Sequence, residues 1–339
     1  MNAFLDPAIL FFAVGLIAGL VRSDLEIPPQ IARFLSLYLL MALGLKGGFA
    51  LAQSGLTAAV ASSLFAAVLM ALIVPAIGYA LLRSRINRFD AAAIAASYGS
   101  VSAVTFLTAA QALADMGSPA GGHMAVALVL MESPAILVAV VIANALRRQT
   151  SAASATSVSA SGAMTLGAGS GELQGSTRIS HILHESLTNG SHVLLIGALL
   201  IGVVSGEAGK AVMQPFSDDL FKGMLAFFLL DMGLTVARNM ADAKRAPALL
   251  VAYAIIGPLV HAAIALAIAL ALGLSAPDAA LLMVLSASAS YIVVPAVLRH
   301  AIPEANPALY CGLSLGITFP LNLLVGIPLY AWVAHQVLG

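Results

Sequence analysis

Two short stretches of hydroxylated residues carry the most distinctive chemistry in the sequence. Residues 97–105 read Ser-Tyr-Gly-Ser-Val-Ser-Ala-Val-Thr, and residues 286–291 read Ser-Ala-Ser-Ala-Ser-Tyr. In the second stretch serine recurs at every other position, a spacing that aligns side chains on extended backbone but scatters them around a helix. We therefore predict that both stretches are short unwound interruptions of helices and that they face each other.

Helices interrupted in this way predict an anion site. The N-terminal ends of the half-helices carry free N–H groups and a partial positive charge. Hydroxyl groups can donate to an anion or accept from its own hydroxyl. The candidate ligands are six hydroxyl-bearing members of the two stretches: Ser100, Ser102, Thr105, Ser288, Ser290 and Tyr291. The alternative interpretation is that these small residues only allow helices to pack closely.

Two carboxylates, Glu132 and Asp231, fall in the middle of long apolar runs. A charge at the centre of a membrane helix costs about 2.5–3.5 kcal/mol on insertion scales, so such groups usually face a cavity or a partner. Together with hydroxyls and freed carbonyls they form a reasonable ligand set for sodium, a hard cation. Asn322, two residues after Pro320, could supply an amide oxygen. The alternatives are structural acids and, for Asn322, helix packing.

The same apolar runs carry no lysine or arginine at their centres. Lys46 lies toward one end of its run, and we expect its amine to reach the membrane interface. An anion at the centre would need helix dipoles, hydroxyls and a co-bound cation. The pattern therefore favours coupled movement of a cation and an anion.

The elements that must position these residues are membrane-spanning helices. The chain has 339 residues, of which 61% are hydrophobic and 9% charged, whereas a soluble domain is about 25% charged. A formal net charge of zero argues against nucleic-acid binding, and the single cysteine, Cys311, excludes a disulfide framework. We predict no cofactor and no metal other than sodium as a coupling ion. Apolar runs of membrane-spanning length occur at 8–21, 31–51, 56–82, 91–113, 122–146, 192–209, 219–237, 247–273, 279–298 and 308–332.

Ten spans would divide the chain into two halves of five, residues 1–148 and 186–339. Between them, residues 149–185 are rich in Ser, Ala and Gly, which predicts a flexible linker. Twelve of the 15 lysines and arginines fall on the linker side of this topology. Because positive loops stay in the cytoplasm, we predict a cytoplasmic linker and both termini outside, in the bacterial plasma (inner) membrane.

The two halves also resemble each other in sequence. Four features recur in order at offsets of 186–188 residues, which indicates an internal repeat. Since each half has five spans, an odd number, the second half must be inverted relative to the first, as in many secondary transporters. The recurring features are Gly15-x-x-x-Gly19 with Gly202-x-x-x-Gly206, Asp90-Ala-Ala with Asp278-Ala-Ala, Ser100-Val-Ser102 with Ser288-Ala-Ser290, and Pro134 with Pro320.

Several motifs together resemble the sodium-dependent bicarbonate transporters of the cyanobacterial type. This resemblance implies ten spans in two inverted repeats, interrupted crossing helices, a homotrimer, sodium-coupled bicarbonate uptake and a cytoplasmic PII-like regulator. It places bicarbonate among Gly99, Ser100, Ser102, Ser288 and Ser290, with sodium near Glu132 and Asp231. The motifs are Gly44–Gly48, Tyr98–Ser102, Met131–Pro134, Asp231–Leu234 and Ser286–Ser290.

Two other functions remain open at the level of sequence. A sodium/proton antiporter also uses inverted repeats and buried acids, but it has no need of paired serine stretches. A membrane receptor or sensor would need an attached signalling domain. An enzyme is not expected, because His261 is the only histidine deep in an apolar run and lacks a catalytic partner in the sequence pattern.

Overall fold

The computed structural model describes residues 6–55, 57–158, 190–244 and 246–339. All regular secondary structure in these ranges is helical. Seven of the described helical segments are long and apolar enough to cross a membrane, and two shorter apolar helices accompany them. The prediction of an all-α polytopic membrane protein is therefore confirmed.

In its described residues the first half contains six helices, and polar caps start most of them. The Asp6 side chain accepts a hydrogen bond from the Ala8 N–H at 2.8 Å, and Thr57 and Asn87 cap the third and fourth helices in the same way. The sixth helix continues through residues 149–158 of the predicted linker, and residues 159–185 lie outside the described ranges. These helices are α1 (Pro7–Leu20), α2 (Pro29–Ser54), α3 (Ala58–Leu82), α4 (Arg88–Gly99), α5 (Ala103–Asp115) and α6 (Met124–Val158).

Six further helices form the second half: α7 (Gly190–Gln214), α8 (Phe221–Lys244), α9 (Ala248–Leu272), α10 (Ala276–Ala287), α11 (Val293–Ala301) and α12 (Pro307–Leu338). The turn Pro215–Asp219 between α7 and α8 is π-helical, so the expected loop between these two spans is helical instead. Gly206 bends α7, because its φ of 52° is outside the helical region. Two more π-helical turns, Ser314–Thr318 and Asn322–Gly326, flank Pro320 in α12.

The helices pack as two groups. In the four-helix group, α1 lies against α8 and α2 lies against α7. In the second group, α3 packs on α4 and α6, α9 packs on α10, and α10 packs on α12. Large apolar side chains cover the outside of the four-helix group, such as Val204, which is 87% exposed. A solvent-facing surface of this kind is unfavourable in water and suits contact with lipid.

Glycines allow the pairs in the four-helix group to approach closely. A Cβ atom on Gly15 would lie 2.1 Å from the Leu230 carbonyl oxygen, and one on Gly202 would lie 2.6 Å from that of Leu45. These two glycines therefore let their helices pack in close contact. Gly206 differs, because a Cβ atom there meets nothing within 4 Å.

We expect Gly202→Ala to lower the thermal stability of the detergent-purified protein. The added methyl group must push α7 away from α2, and overpacking of this kind costs about 1–3 kcal/mol. Gly197→Ala in the same helix is the matched control, since its Cβ would meet nothing within 4 Å and alanine favours a helix by up to about 1 kcal/mol. Equal melting temperatures for the two variants would contradict a close contact at Gly202.

Candidate functional site

Both hydroxylated stretches are breaks in helices, as predicted. The first helix of each pair ends inside its stretch, at Gly99 in α4 and at Ala287 in α10. The second helix begins a few residues later, with α5 at Ala103 and α11 at Val293. The backbone of Ser100 and Ser288 is extended. Nearly all of the α4–α5 segment is buried.

Hydrogen bonds join the two breaks directly. The Ser290 N–H donates to the Ser97 carbonyl oxygen at 2.7 Å, and the Ser97 hydroxyl donates to the Ser290 carbonyl oxygen at 2.5 Å. The Ser102 N–H donates to the Ser288 hydroxyl oxygen at 3.0 Å. The unwound segments thus provide hydrogen-bond partners for many of each other's backbone groups. A helix break inside a membrane protein requires such partners.

Ser102 and Ser290 play similar roles at the two breaks. The Ser102 hydroxyl accepts from the Thr105 N–H at 3.2 Å, at the start of α5. The Ser290 hydroxyl accepts from the Val294 N–H at 3.3 Å, at the start of α11. Ser102 is the N-cap of α5, whereas Ser290 reaches the first turn of α11 from two residues before its N-cap position, Ile292. Ser102 directs its own hydrogen to the Tyr291 hydroxyl at 3.2 Å.

A cavity of about 70 Å³, which we call the crossing cavity, lies where the two helix starts meet. It has room for several water molecules. The first turns of both α5 and α11 line it, and the N–H groups of a first turn have no partner within their helix. Four of the predicted site residues line the crossing cavity: Ser102, Ser290, Tyr291 and Glu132. Leu40 of α2, Leu195 of α7 and Phe228 of α8 close it from the four-helix group.

The other predicted ligands of the crossing lie behind the cavity wall. Ser288 bonds to the Leu285 carbonyl oxygen at 2.8 Å, and Thr105 donates to the Ser102 hydroxyl at 2.9 Å. Gly99 has a packing role, since a Cβ atom there would lie 2.6 Å from the Pro75 ring. Ser100 is buried, and its hydroxyl has no hydrogen-bond partner among the described residues.

Asn322 forms a hydrogen bond to the C-terminal end of α10. Its side-chain nitrogen donates to the Ala287 carbonyl oxygen at 2.7 Å, and its side-chain oxygen accepts from the Tyr330 hydroxyl at 3.2 Å. The π-helical turn that contains Asn322 directs this amide to the break. One lone pair of the amide oxygen is thus used within the protein, and the other is available.

A buried chain of hydrogen bonds supports the first break from behind. Pro258 has no N–H, so the carbonyl oxygen of Ala254 one turn earlier lacks its helical donor. The Thr318 hydroxyl donates to that oxygen at 2.9 Å and lies 2.6 Å from the Tyr98 hydroxyl. Since a threonine hydroxyl has one hydrogen, Tyr98 must donate to Thr318. These hydrogen bonds hold Tyr98, the residue before Gly99, in place.

The two acids occupy different places. Glu132 is buried in α6 and lines the crossing cavity. Asp231 is only half-buried and lies in α8, beside residues that pack on α1, and it does not line the cavity. The structure therefore brings Glu132, but not Asp231, together with the serines of the two breaks.

The residues of the site that were not predicted include one that links the breaks and two that line the cavity. Ser97 links the breaks, and its position two residues before Gly99 was a signal available in the sequence. Ser36 and Phe228 line the cavity from α2 and α8. Ser36 and Phe228 are isolated positions in long apolar runs, so no sequence pattern identifies them as site residues.

Opposed half-helix starts at a cavity inside a membrane bundle are the arrangement that secondary transporters use. Over residues 7–335 the chain matches the Na+-dependent bicarbonate transporter superfamily, and it belongs to that family. No curated protein matches the chain. The resemblance found in the sequence motifs is confirmed, and the protein is a multi-pass membrane transporter of a family that is not one of enzymes.

Proposed function

We propose that the protein carries bicarbonate, or a similar small oxyanion, into the cell together with sodium by alternating access. The observation that carries the proposal is the crossing cavity, where the starts of α5 and α11 meet the hydroxyls of Ser102 and Ser290. Two N-terminal helix ends and donor hydroxyls favour an anion. The family to which the chain belongs supports bicarbonate as that anion.

Such a cavity favours sodium as the cation that is bound together with the anion. The residues described as lining it include Glu132 and no lysine or arginine, so no basic side chain of the cavity wall offsets the charge of an anion bound there. A co-bound cation offsets that charge and takes oxygen ligands. We assign Glu132 to the cation, with Asn322 and Asp231 as further candidates, and the hydroxyls of the breaks to the anion.

The proposal includes ten spans in two inverted repeats, with α4–α5 and α10–α11 as the equivalent interrupted spans. Reciprocal contacts support it. The Asp90 carboxylate accepts from the Asn306 N–H at 2.7 Å, and the Asp278 carboxylate accepts from the Gly121 N–H at 2.7 Å. In each case an acidic side chain at the start of an interrupted span accepts a hydrogen bond from the other half. The donor lies in the segment that precedes the last span of that half.

The orientation and the assembly are also proposals. The excess of lysine and arginine on the linker side supports an inner-membrane protein with a cytoplasmic linker and outside termini. The homotrimer and the PII-like regulator are implied only by the resemblance to sodium-dependent bicarbonate transporters.

Uptake by purified protein in liposomes tests the proposal. We expect labelled bicarbonate to accumulate under an inward sodium gradient and to stay at the passive level when potassium replaces sodium. Equal uptake in the two salts would end the symport hypothesis. A pH-sensitive dye inside the same vesicles detects sodium/proton exchange, and exchange without bicarbonate uptake would favour the antiporter.

A further inference from the structure

A second cavity, of about 190 Å³, lies between the same two groups of helices. We call it the Lys46 cavity. Its wall comes from α2, α5, α6, α8 and α10 and from the segment before α6. The lining residues include Lys46, Ala50, Gln111, Gly121 and Phe221. None of the residues proposed to bind bicarbonate or sodium lines it.

The two cavities follow one another along a single interface. On α2, Leu40 lines the crossing cavity and Lys46 lines the second cavity. Leu40 and Lys46 are six positions apart, which corresponds to about 9 Å along the helix axis at 1.5 Å per residue. On α5, Leu107 lines both cavities and is only 1% exposed. A buried apolar side chain thus forms part of the wall that the cavities share.

Lys46 gives the second cavity a positive charge. Its amine lies 2.9 Å from the Asp218 carboxylate and 4.4 Å from the centroid of the Phe221 ring. The side chain is 29% exposed, so the ammonium is held in place but remains accessible to water. Asp218 offsets part of its charge and so limits how strongly it attracts an anion.

We propose that the Lys46 cavity is a holding site for a small oxyanion, one step away from the crossing cavity. Lys46 attracts the anion, Asp218 keeps the binding weak, and Leu107 separates the holding site from the crossing. The identity of the anion as bicarbonate rests on the proposed function. The existence of the site does not, because its charge and position are features of the cavity itself.

Thiol labelling tests the site without transport. Cys311 is the single cysteine, so Cys311→Ala with Gln111→Cys places one thiol in the wall of the Lys46 cavity. The measured quantity is the ratio of its reaction rates with anionic sulfonatoethyl and cationic trimethylammonioethyl methanethiosulfonate. We expect Lys46→Gln to lower this ratio about fivefold and Asp218→Asn to raise it, because charges at a confined site change local ion concentration.

Two further variants serve as controls. Lys46→Arg keeps the charge and should keep the ratio. Lys210→Gln removes a charge from a lysine that pairs with Glu207 at 3.9 Å and does not line the cavity, so the ratio should not change. A ratio unaffected by Lys46→Gln, or one that moves in the same direction in Lys46→Gln and Asp218→Asn, would overturn the proposal.

Bicarbonate uptake separates this inference from the proposed function. In liposomes at low ionic strength, Lys46→Gln should raise the KM for bicarbonate about fivefold with little change in the maximal rate, and Asp218→Asn should lower the KM. If labelling gives the expected ratios but the wild-type protein takes up no bicarbonate, the anion site stands and bicarbonate is the wrong substrate. If uptake is normal and the ratios do not move, only the holding site is overturned.

Discussion

Replacing Ser102 and Ser290 together by alanine is expected to raise the bicarbonate concentration for half-maximal uptake by roughly 5- to 100-fold. Both hydroxyls line the crossing cavity, and Ser102 would turn its hydrogen from Tyr291 to a bound anion. Each hydrogen bond to the anion contributes about 0.5–1.5 kcal/mol net, or more where a buried partner is left unpaired. The measurement is the initial rate of labelled bicarbonate uptake as a function of its concentration at saturating sodium.

Controls must separate binding from helix capping, since both serines also accept hydrogen bonds from the first turns of α5 and α11. Glycine is nearly as good a cap as serine, whereas alanine costs about 1 kcal/mol. Ser102→Gly, at the N-cap of α5, should therefore lose anion affinity while keeping most of the stability. Ser205→Ala, which removes a hydroxyl bonded within α7 at 2.7 Å, should change neither. Normal affinity in the double alanine variant would make the serines packing residues.

Glu132→Gln is expected to raise the sodium concentration for half-maximal uptake by about tenfold, because the amide keeps the shape of the side chain but loses the charge that attracts the cation. The bicarbonate requirement should rise less, with some effect carried through coupling between the two ligands. Sodium titrations of bicarbonate uptake at fixed bicarbonate measure the shift.

Asp231→Asn tests whether an acid must line the crossing cavity to affect sodium binding. Because Asp231 does not line the crossing cavity, we expect a smaller shift of the sodium midpoint than for Glu132→Gln. A purely structural acid would lower the melting temperature and leave the sodium midpoint unchanged. An acid of a sodium/proton antiporter would instead lose proton exchange. If the sodium midpoint is unchanged in both variants, neither residue takes part in sodium binding.

The sequence predicted the breaks well because their signal is local. Alternating serines cannot share one face of a helix, and the helices do end before Ser100 and Ser288. The same composition could not separate the serines that line the cavity from those behind it. That distinction depends on contacts such as the one between the Ser102 N–H and Ser288, which join residues far apart in the chain.

Other features depend on packing that no local pattern encodes. Asp231 and Glu132 look alike in sequence, as single acids in apolar runs, yet only Glu132 lines the crossing cavity. The turn between α7 and α8 has the polar composition of a loop but folds as a π-helical continuation. Gly202 and Gly206 form one motif, but only Gly202 contacts α2, while Gly206 bends α7.

The pairing of α1 with α8 also sets an order for biogenesis. Gly15 contacts the backbone at Leu230, which is synthesised roughly 200 residues later. A ribosome adds about 5–20 residues per second, so α1 waits on the order of 10–40 s for its partner. The glycine face of α1 must spend that interval against lipid or another protein. Membrane insertion of the first half and completion of the four-helix group are therefore separate events, and the second requires synthesis to have passed α8, which ends at Lys244.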